Sequence, residues 1–190
     1  AVMDTGDGLV FPPPLGKEVN LIFPSSPPSK RSFYNGLSVL ADEVKDRFGD
    51  SVDIFVDNKL VNKDDDVCNA DFYPLQTEHS FLAGSDEQRL QTLLQAFSKE
   101  STSVIVCGRG GYGAIRLFPL LTEGVLDKLV PCLGRHRFVG FSDATFLHNM
   151  FRIAYAERYP GSHLVTIHGP MPMLDSFWLP GRDENRMQMF

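Results

Sequence analysis

Three short segments of this 190-residue chain hold the residue types from which a reactive site could be built: Pro24-Ser25-Ser26, Gly108-Arg109-Gly110-Gly111-Tyr112-Gly113 and Gly140-Phe141-Ser142-Asp143. In the last, a serine stands between a short apolar run and the start of a helical pattern. That placement lifts a hydroxyl out of a sheet on a sharp turn, beside helix N-terminal amides that would stabilise a developing oxyanion. The chemistry it suits is nucleophilic attack on an acyl carbon. The plainer alternative is that Ser142 only caps the helix, a frequent role for serine. The glycine-rich segment shifts that balance, because glycines let backbone amides approach a substrate closely. Arg109 and Arg116 each suit either a substrate carboxylate or a surface ion pair. Neither a GxxxxGK[ST] phosphate loop nor a dinucleotide fingerprint is present: the glycines follow a late strand and do not open a first βαβ unit.

The elements that must position these segments are legible from periodicity. Glu18 to Phe23 is strand-like and stops at a Pro/Ser turn, and Phe33, Leu37, Leu40, Val44 and Phe48 recur at helical spacing, with Ser32 available as N-cap and Gly49 ending the pattern. Val52, Ile54 and Val56 alternate as a second strand. Ser85 followed by Gln88 reads as a capping box that opens a helix with Leu90, Leu93, Leu94 and Phe97 on one face. Ser103 to Cys107 suits a strand buried on both faces. A helix follows from about Ala114 to Leu121, a strand over Arg137 to Phe141, a helix over Asp143 to Ala156 and a fifth strand over His163 to Ile167. Five strands alternating with four helices predict an α/β fold, Rossmann-like, with a doubly wound, mostly parallel sheet and helices on both faces. In such a sheet, ligands sit where strands end and helices begin, which is where all three segments fall.

Composition narrows the function classes. The net charge is −6, with the acidic excess concentrated between residues 40 and 90, so neither nucleic acid nor an anionic membrane is an expected partner. No stretch approaches the roughly 18 apolar residues of a membrane span, and the N-terminal residues lack the basic and apolar regions of a secretion signal. Cys68, Cys107 and Cys132 are odd in number and lack CxxC spacing, so a disulfide framework and a thiolate metal site are both disfavoured. Asp64-Asp65-Asp66 reads as a solvated loop, because the regular oxygen spacing and glycine turn of a calcium loop are missing. No metal or organic cofactor is expected.

The segment Gly108-Arg109-Gly110-Gly111-Tyr112-Gly113-Ala114-Ile115-Arg116-Leu117, with Phe138-Val139-Gly140-Phe141-Ser142-Asp143-Ala144-Thr145 and Thr166-Ile167-His168-Gly169-Pro170-Met171, resembles the LD-carboxypeptidase family of serine peptidases. Leu82 to Leu90 resembles the stretch this family carries before its glycine loop, and Pro24-Ser25-Ser26 resembles its first-strand turn. The resemblance implies a cytoplasmic serine hydrolase that cleaves the L,D-peptide bond of murein tetrapeptides, releasing a terminal D-amino acid in peptidoglycan recycling. Ser142 aligns with the nucleophile, and the backbone amides of Gly111 and Asp143 with the oxyanion donors. Gly110, Tyr112, Arg116, Ser25 and His168 are the expected substrate contacts. The partner is a murein or other small peptide, and a homodimer is implied. Antibiotic-resistance peptidases acting on microcin C share these motifs and form an alternative; a non-catalytic module binding a peptide or small anion is another.

The resemblance places the general base and its orienting acid, a His and a Glu, in a C-terminal domain downstream of the serine. His148 lies on the same helix as Ser142, six residues on, and is turned away from it; it reads as a surface or core residue. His168 lies in a segment the family uses to shape its site. His79, His136 and His163 have no motif context. The expected organisation is an arm over 1–17, a nucleophile-bearing α/β domain over 18–175, and over 176–190 the start of a linker to an absent C-terminal domain. An excised domain is favoured over a naturally shortened relative.

Overall fold

The computed structural model describes residues 3–4, 9–11, 17–61, 73, 81–174 and 177. The first long strand is β3 (Glu18–Ile22), buried along its whole length. It follows two short strands of the arm, β1 (Met3–Asp4) and β2 (Leu9–Phe11). Helix α1 (Lys30–Phe48) begins one turn earlier than the apolar spacing suggests. Ser29, not Ser32, is its N-cap, and the Ser32 N–H donates to the Ser29 hydroxyl at 3.1 Å. Gly49 ends the helix at φ 60°, and its N–H bonds the Lys45 carbonyl.

Strand β4 (Asp53–Val56) turns through Asp57 and Asn58, both at positive φ (46° and 66°), into β5 (Lys59–Val61), an antiparallel strand additional to the five expected. Two residues of Asp/Asn type in the left-handed region are the usual turn of a tight hairpin. Asp64 to Asp66 and His79 lie outside the described residues, as does the proposed linker apart from Phe177. Helix α2 (Asp86–Ser98) opens with both hydrogen bonds of the capping box between Ser85 and Gln88. After β6 (Thr102–Cys107) the chain forms a 3-10 helix over Ala114–Leu120, with Pro119 inside it, where an α-helix was expected. Helix α3 (Glu123–Leu133) is an element the reading missed; its Leu129, Val130 and Leu133 are buried. Strand β7 (Arg137–Gly140) leads through a 3-10 turn at Ser142–Ala144 into α4 (Thr145–Arg158). The predicted fifth strand divides into β8 (His163–Leu164) and β9 (Ile167–His168), which belong to different sheets.

The main sheet runs β5-β4-β3-β6-β7-β9, parallel throughout except for β5. Its direction of winding reverses at β3: α1 carries the chain outward to β4, and α2 carries it back past β3 to β6. The ends of β3 and β6 therefore border the topological switch point, where this class of sheet opens a crevice. Alternation decides which face each residue enters. Val19, Leu21, Val104 and Val106 pack against α1 residues Phe33, Leu37 and Leu40, whereas Ile22, Ile105 and Cys107 pack against α2, α3 and α4. The exception is Asn20, fully buried on the second face. Its amide donates to Asn58 Oδ1 at 2.7 Å, and Asn58 in turn donates to the Thr92 carbonyl on α2, so the burial is compensated. A second, three-stranded sheet has the order β1-β2-β8, with β2 parallel to β8, so the arm contributes two short strands.

Candidate active site

Ser142 occupies the second position after the β7 end and adopts φ 58°, a left-handed conformation rare for a residue bearing a Cβ. Such conformations cost of order 1–3 kcal/mol and persist where the surroundings dictate them. The surroundings here are two small residues and one short turn. Gly140 is buried against Cys107, and the Ala144 N–H closes back on the Phe141 carbonyl at 3.2 Å. The first N–H groups of a helical turn have no partner inside it, so this elbow presents amides beside the hydroxyl.

The glycine loop faces the elbow. A Cβ on Gly110 would lie 3.0 Å from Ser142 Cβ and 3.2 Å from its Oγ, so loop and nucleophile candidate are in van der Waals contact only because position 110 lacks a side chain. Gly111 adopts φ 99°, and a Cβ there would strike Ser26 Oγ at 2.5 Å.

The turn after β3 brackets both segments. Ser26 N–H donates to the Gly110 carbonyl (3.2 Å), and Ser26 Oγ accepts the Tyr112 N–H (3.1 Å). Its neighbour Ser25 is fully buried and donates its hydroxyl to Asp143 Oδ2 at 2.6 Å. Ser25, expected to touch substrate, therefore supports the site from behind, because its one hydroxyl proton is committed to Asp143. The same Asp143 oxygen accepts the Ala114 N–H at 2.8 Å, where the glycine loop enters its 3-10 helix.

A second layer holds the loop from the α2 side. Arg89, buried among the apolar residues of α2, donates to the Pro24 and Gly113 carbonyls and to Asp86. Asp86 also binds Arg116 with both oxygens, at 2.9 Å each. Partial burial opposes ionisation of Asp86, but the Arg116 and Arg89 guanidinium groups outweigh it and hold the carboxyl below its ordinary range. Arg116 is thus engaged in an ion pair at the rim, and Arg109 donates to the Pro27 carbonyl at 2.8 Å. Tyr112 is about half exposed, its ring 6.1 Å from the equally exposed Phe81.

His148 has both ring nitrogens occupied, one at 2.9 Å from the Gly140 carbonyl and the other at 2.8 Å from Thr166 Oγ1. Burial lowers its pKa against the pull of the Gly140 carbonyl, so a neutral ring braces the elbow from beneath. His136 is likewise enclosed between the Thr102 and Phe97 carbonyls. His168 is exposed at the end of β9, its ring 5.9 Å from that of Phe141, and His163 is exposed on β8. Among the described residues no histidine hydrogen-bonds Ser142. Cys107 lies under the site, but burial, then the Asp143 charge, push its thiol pKa up and leave it inert. Among the described residues no cluster of His, Cys, Asp and Glu could hold a metal ion, and no helix is long and apolar enough to cross a membrane.

The structure brings together the serine, the glycines and the β3 turn singled out in the sequence, and adds to them the side chains of Asp143, Arg89 and Asp86. The one available signal was Arg89 itself, a charged residue standing among Leu90, Leu93 and Phe97, on a helix whose other polar positions could face water.

A family profile described as the LD-carboxypeptidase N-terminal domain matches residues 19–159, which include the β3 turn, the glycine loop and the serine elbow. The chain belongs to this family. A putative carboxypeptidase of Streptomyces coelicolor is 31% identical over 156 residues, covering 82% of this chain and 41% of that protein. A murein tetrapeptide carboxypeptidase of Pseudomonas aeruginosa is 35% identical over 97 residues, 51% of this chain and 28% of its own length. The solved structure of the microcin C7 self immunity protein MccF superposes with a TM-score of 0.63 at 20% identity, covering 93% of this chain and 44% of that one, which speaks for a shared fold. The chain thus spans less than half the length of these relatives.

Proposed function

We propose that this chain carries the nucleophile-bearing part of a serine-type LD-carboxypeptidase acting on murein tetrapeptides in cytoplasmic peptidoglycan recycling. The observation that carries the reading is Ser142, held at φ 58° on a strand-to-helix elbow with its hydroxyl against Gly110. Ser142 Oγ attacks the carbonyl carbon of the L,D-peptide bond, and the oxygen that becomes negative is received by the N–H groups of Gly111 and Asp143. Gly110, Tyr112, Arg116 and His168 border the substrate; Tyr112 offers an exposed ring and Arg116 a charge already shared with Asp86. Collapse of the tetrahedral intermediate expels the terminal D-amino acid, and water then releases the acyl group from the serine. A serine hydroxyl is a weak nucleophile without a base. In this reading a His and Glu pair, supplied from a C-terminal domain, takes the proton from Ser142 and delivers it to the leaving amine. The chemistry needs neither metal nor organic cofactor.

The test is release of D-alanine from L-Ala-D-Glu-diaminopimelate-D-Ala by this chain, and by a chimera that continues it with the downstream region of the Streptomyces coelicolor relative. The expected result is turnover by the chimera that disappears in Ser142→Ala. Turnover that survives this substitution would remove Ser142 from the chemistry. Hydrolysis confined to an aminoacyl-sulfamoyl nucleotide would move the substrate to the antibiotic class.

A further inference from the structure

Two backbone amides can receive an oxyanion only if their separation is held constant, and here the two donors lie on segments far apart in sequence. Gly111 belongs to the loop after β6 and the Asp143 N–H to the elbow after β7. Neither segment is fixed by its own secondary structure: the loop is rich in glycine, and the elbow is a single 3-10 turn. One oxygen joins them. Asp143 Oδ2 accepts the Ala114 N–H at 2.8 Å, three residues beyond Gly111, and the Ser25 hydroxyl at 2.6 Å. Ser25 is followed by Ser26, whose backbone and side chain bond Gly110 and Tyr112 on either side of Gly111. A closed circuit results: elbow to loop exit through Ala114, elbow to β3 turn through Ser25, and β3 turn to loop through Ser26.

We propose that the Asp143 carboxylate is the positioning group of the oxyanion site: the residue that offers one donor amide also uses its side chain to set the place of the other. This rests on the reading of Ser142 and the two amides given above. An ionised carboxylate accepting an N–H and an O–H makes charge-assisted bonds, stronger than neutral ones, so the circuit is stiffest at Asp143. The carboxylate touches no reacting atom. Its effect is confined to the stage at which the carbonyl oxygen acquires charge, which is felt in kcat and little in KM.

Two measurements separate this role from plain structural support. The first uses the 190-residue chain alone and follows amide exchange at single residues. Asp143→Ala is expected to speed exchange at Ala114 and at Tyr112, whose N–H groups are bonded, by roughly tenfold or more, with β3 and β6 unchanged. Ser25→Ala, a smaller lesion that keeps the fold if Asp143→Ala does not, is expected to speed exchange at Tyr112 while Ala114 stays protected. Unchanged exchange in both variants would overturn the proposal. The second uses the chimera. Asp143→Ala is expected to lower kcat about 100-fold with KM within about twofold, Ser25→Ala about tenfold, and the double variant no more than Asp143→Ala alone. Asp143→Asn, which keeps one acceptor oxygen, is expected to recover most of the loss. A kcat within twofold of the parent in Asp143→Ala, with Ser142→Ala inactive, would overturn the proposal and leave the serine reading standing. Full turnover in Ser142→Ala would defeat the serine reading instead, and amide exchange would still report on the circuit.

Discussion

Gly110 and Ser142 face each other so closely that one methyl group added at Gly110 would come within 3.2 Å of the Ser142 hydroxyl oxygen. In the proposed mechanism the methyl would crowd the approach of a carbonyl carbon to that oxygen. Gly110→Ala is therefore expected to reduce turnover by the chimera at least tenfold and to cost about 1 kcal/mol or more of stability, because Met171 Cε can yield but Ser142 Cβ, 3.0 Å away, is fixed by its backbone. Steady-state kinetics beside urea denaturation checks this. Full activity would show that substrate reaches Ser142 from another side.

Helix α1 offers a case in which propensity and packing disagree. Alanine is favoured over glycine inside a helix by about 1 kcal/mol. A Cβ on Gly36 would nonetheless lie 2.3 Å from the Pro172 carbonyl oxygen and 2.9 Å from Met173 Sδ. The carbonyl belongs to the backbone and cannot rotate away, so Gly36→Ala is expected to destabilise the chain by about 2 kcal/mol despite the better helix former. A urea midpoint at or above the parent's would contradict this.

Arg89 is buried and divides its donors among the Pro24 carbonyl, the Gly113 carbonyl and Asp86. A lysine ammonium cannot reach three acceptors set out for a planar fork. Arg89→Lys is expected to cost about 2–3 kcal/mol, and Arg89→Met more, even though Asp86 keeps its pair with Arg116. Equilibrium unfolding of both variants measures the difference, and a Lys variant as stable as the parent would show that the fork geometry is immaterial.

Asp57, in the β4–β5 turn, has its pKa raised to about 7, chiefly by burial, against the opposing bond from the Phe23 amide and the charge of Lys59. Unfolded, the same carboxyl ionises in the ordinary range near 4, so between about pH 4 and 7 the folded chain holds the extra proton and loses stability as pH rises. Asp57→Asn removes that loss and suits the left-handed turn. The variant is expected to match the parent near pH 4 and exceed it by about 1 kcal/mol or more at pH 7.5. Urea titrations across this range decide the matter; equal gains at both ends would exclude titration of Asp57 as the cause.

The parallel core was readable because its signals are local and repeated: alternating Val and Ile in the strands, apolar spacing in α1, α2 and α4, and the Ser85–Gln88 box. What escaped had weaker or conflicting local signals. Helix α3 carries Pro131 near its end and only a short apolar stripe, and β5 depends on Asp57 and Asn58 accepting positive φ, a property of the turn rather than of the strand. The site divides in the same way. Ser142 and the glycines announce themselves by type and position. The role of the Asp143 carboxylate does not, because its partners Ser25 and Ala114 come near it only when three parallel strands are aligned.

That alignment also dictates an order of assembly. The Ser25–Asp143 bond spans 118 residues of chain, and the Ser26–Tyr112 bond 86. Closing loops of this length costs entropy that a single hydrogen bond cannot offset, so neither bond forms until the pairing of β3, β6 and β7 has brought the ends together. During refolding the bonded cluster of Ser25, Asp143 and Ala114 is consequently expected to close late, and a chain emerging from the ribosome cannot complete it until Asp143 has been synthesised and β7 has paired.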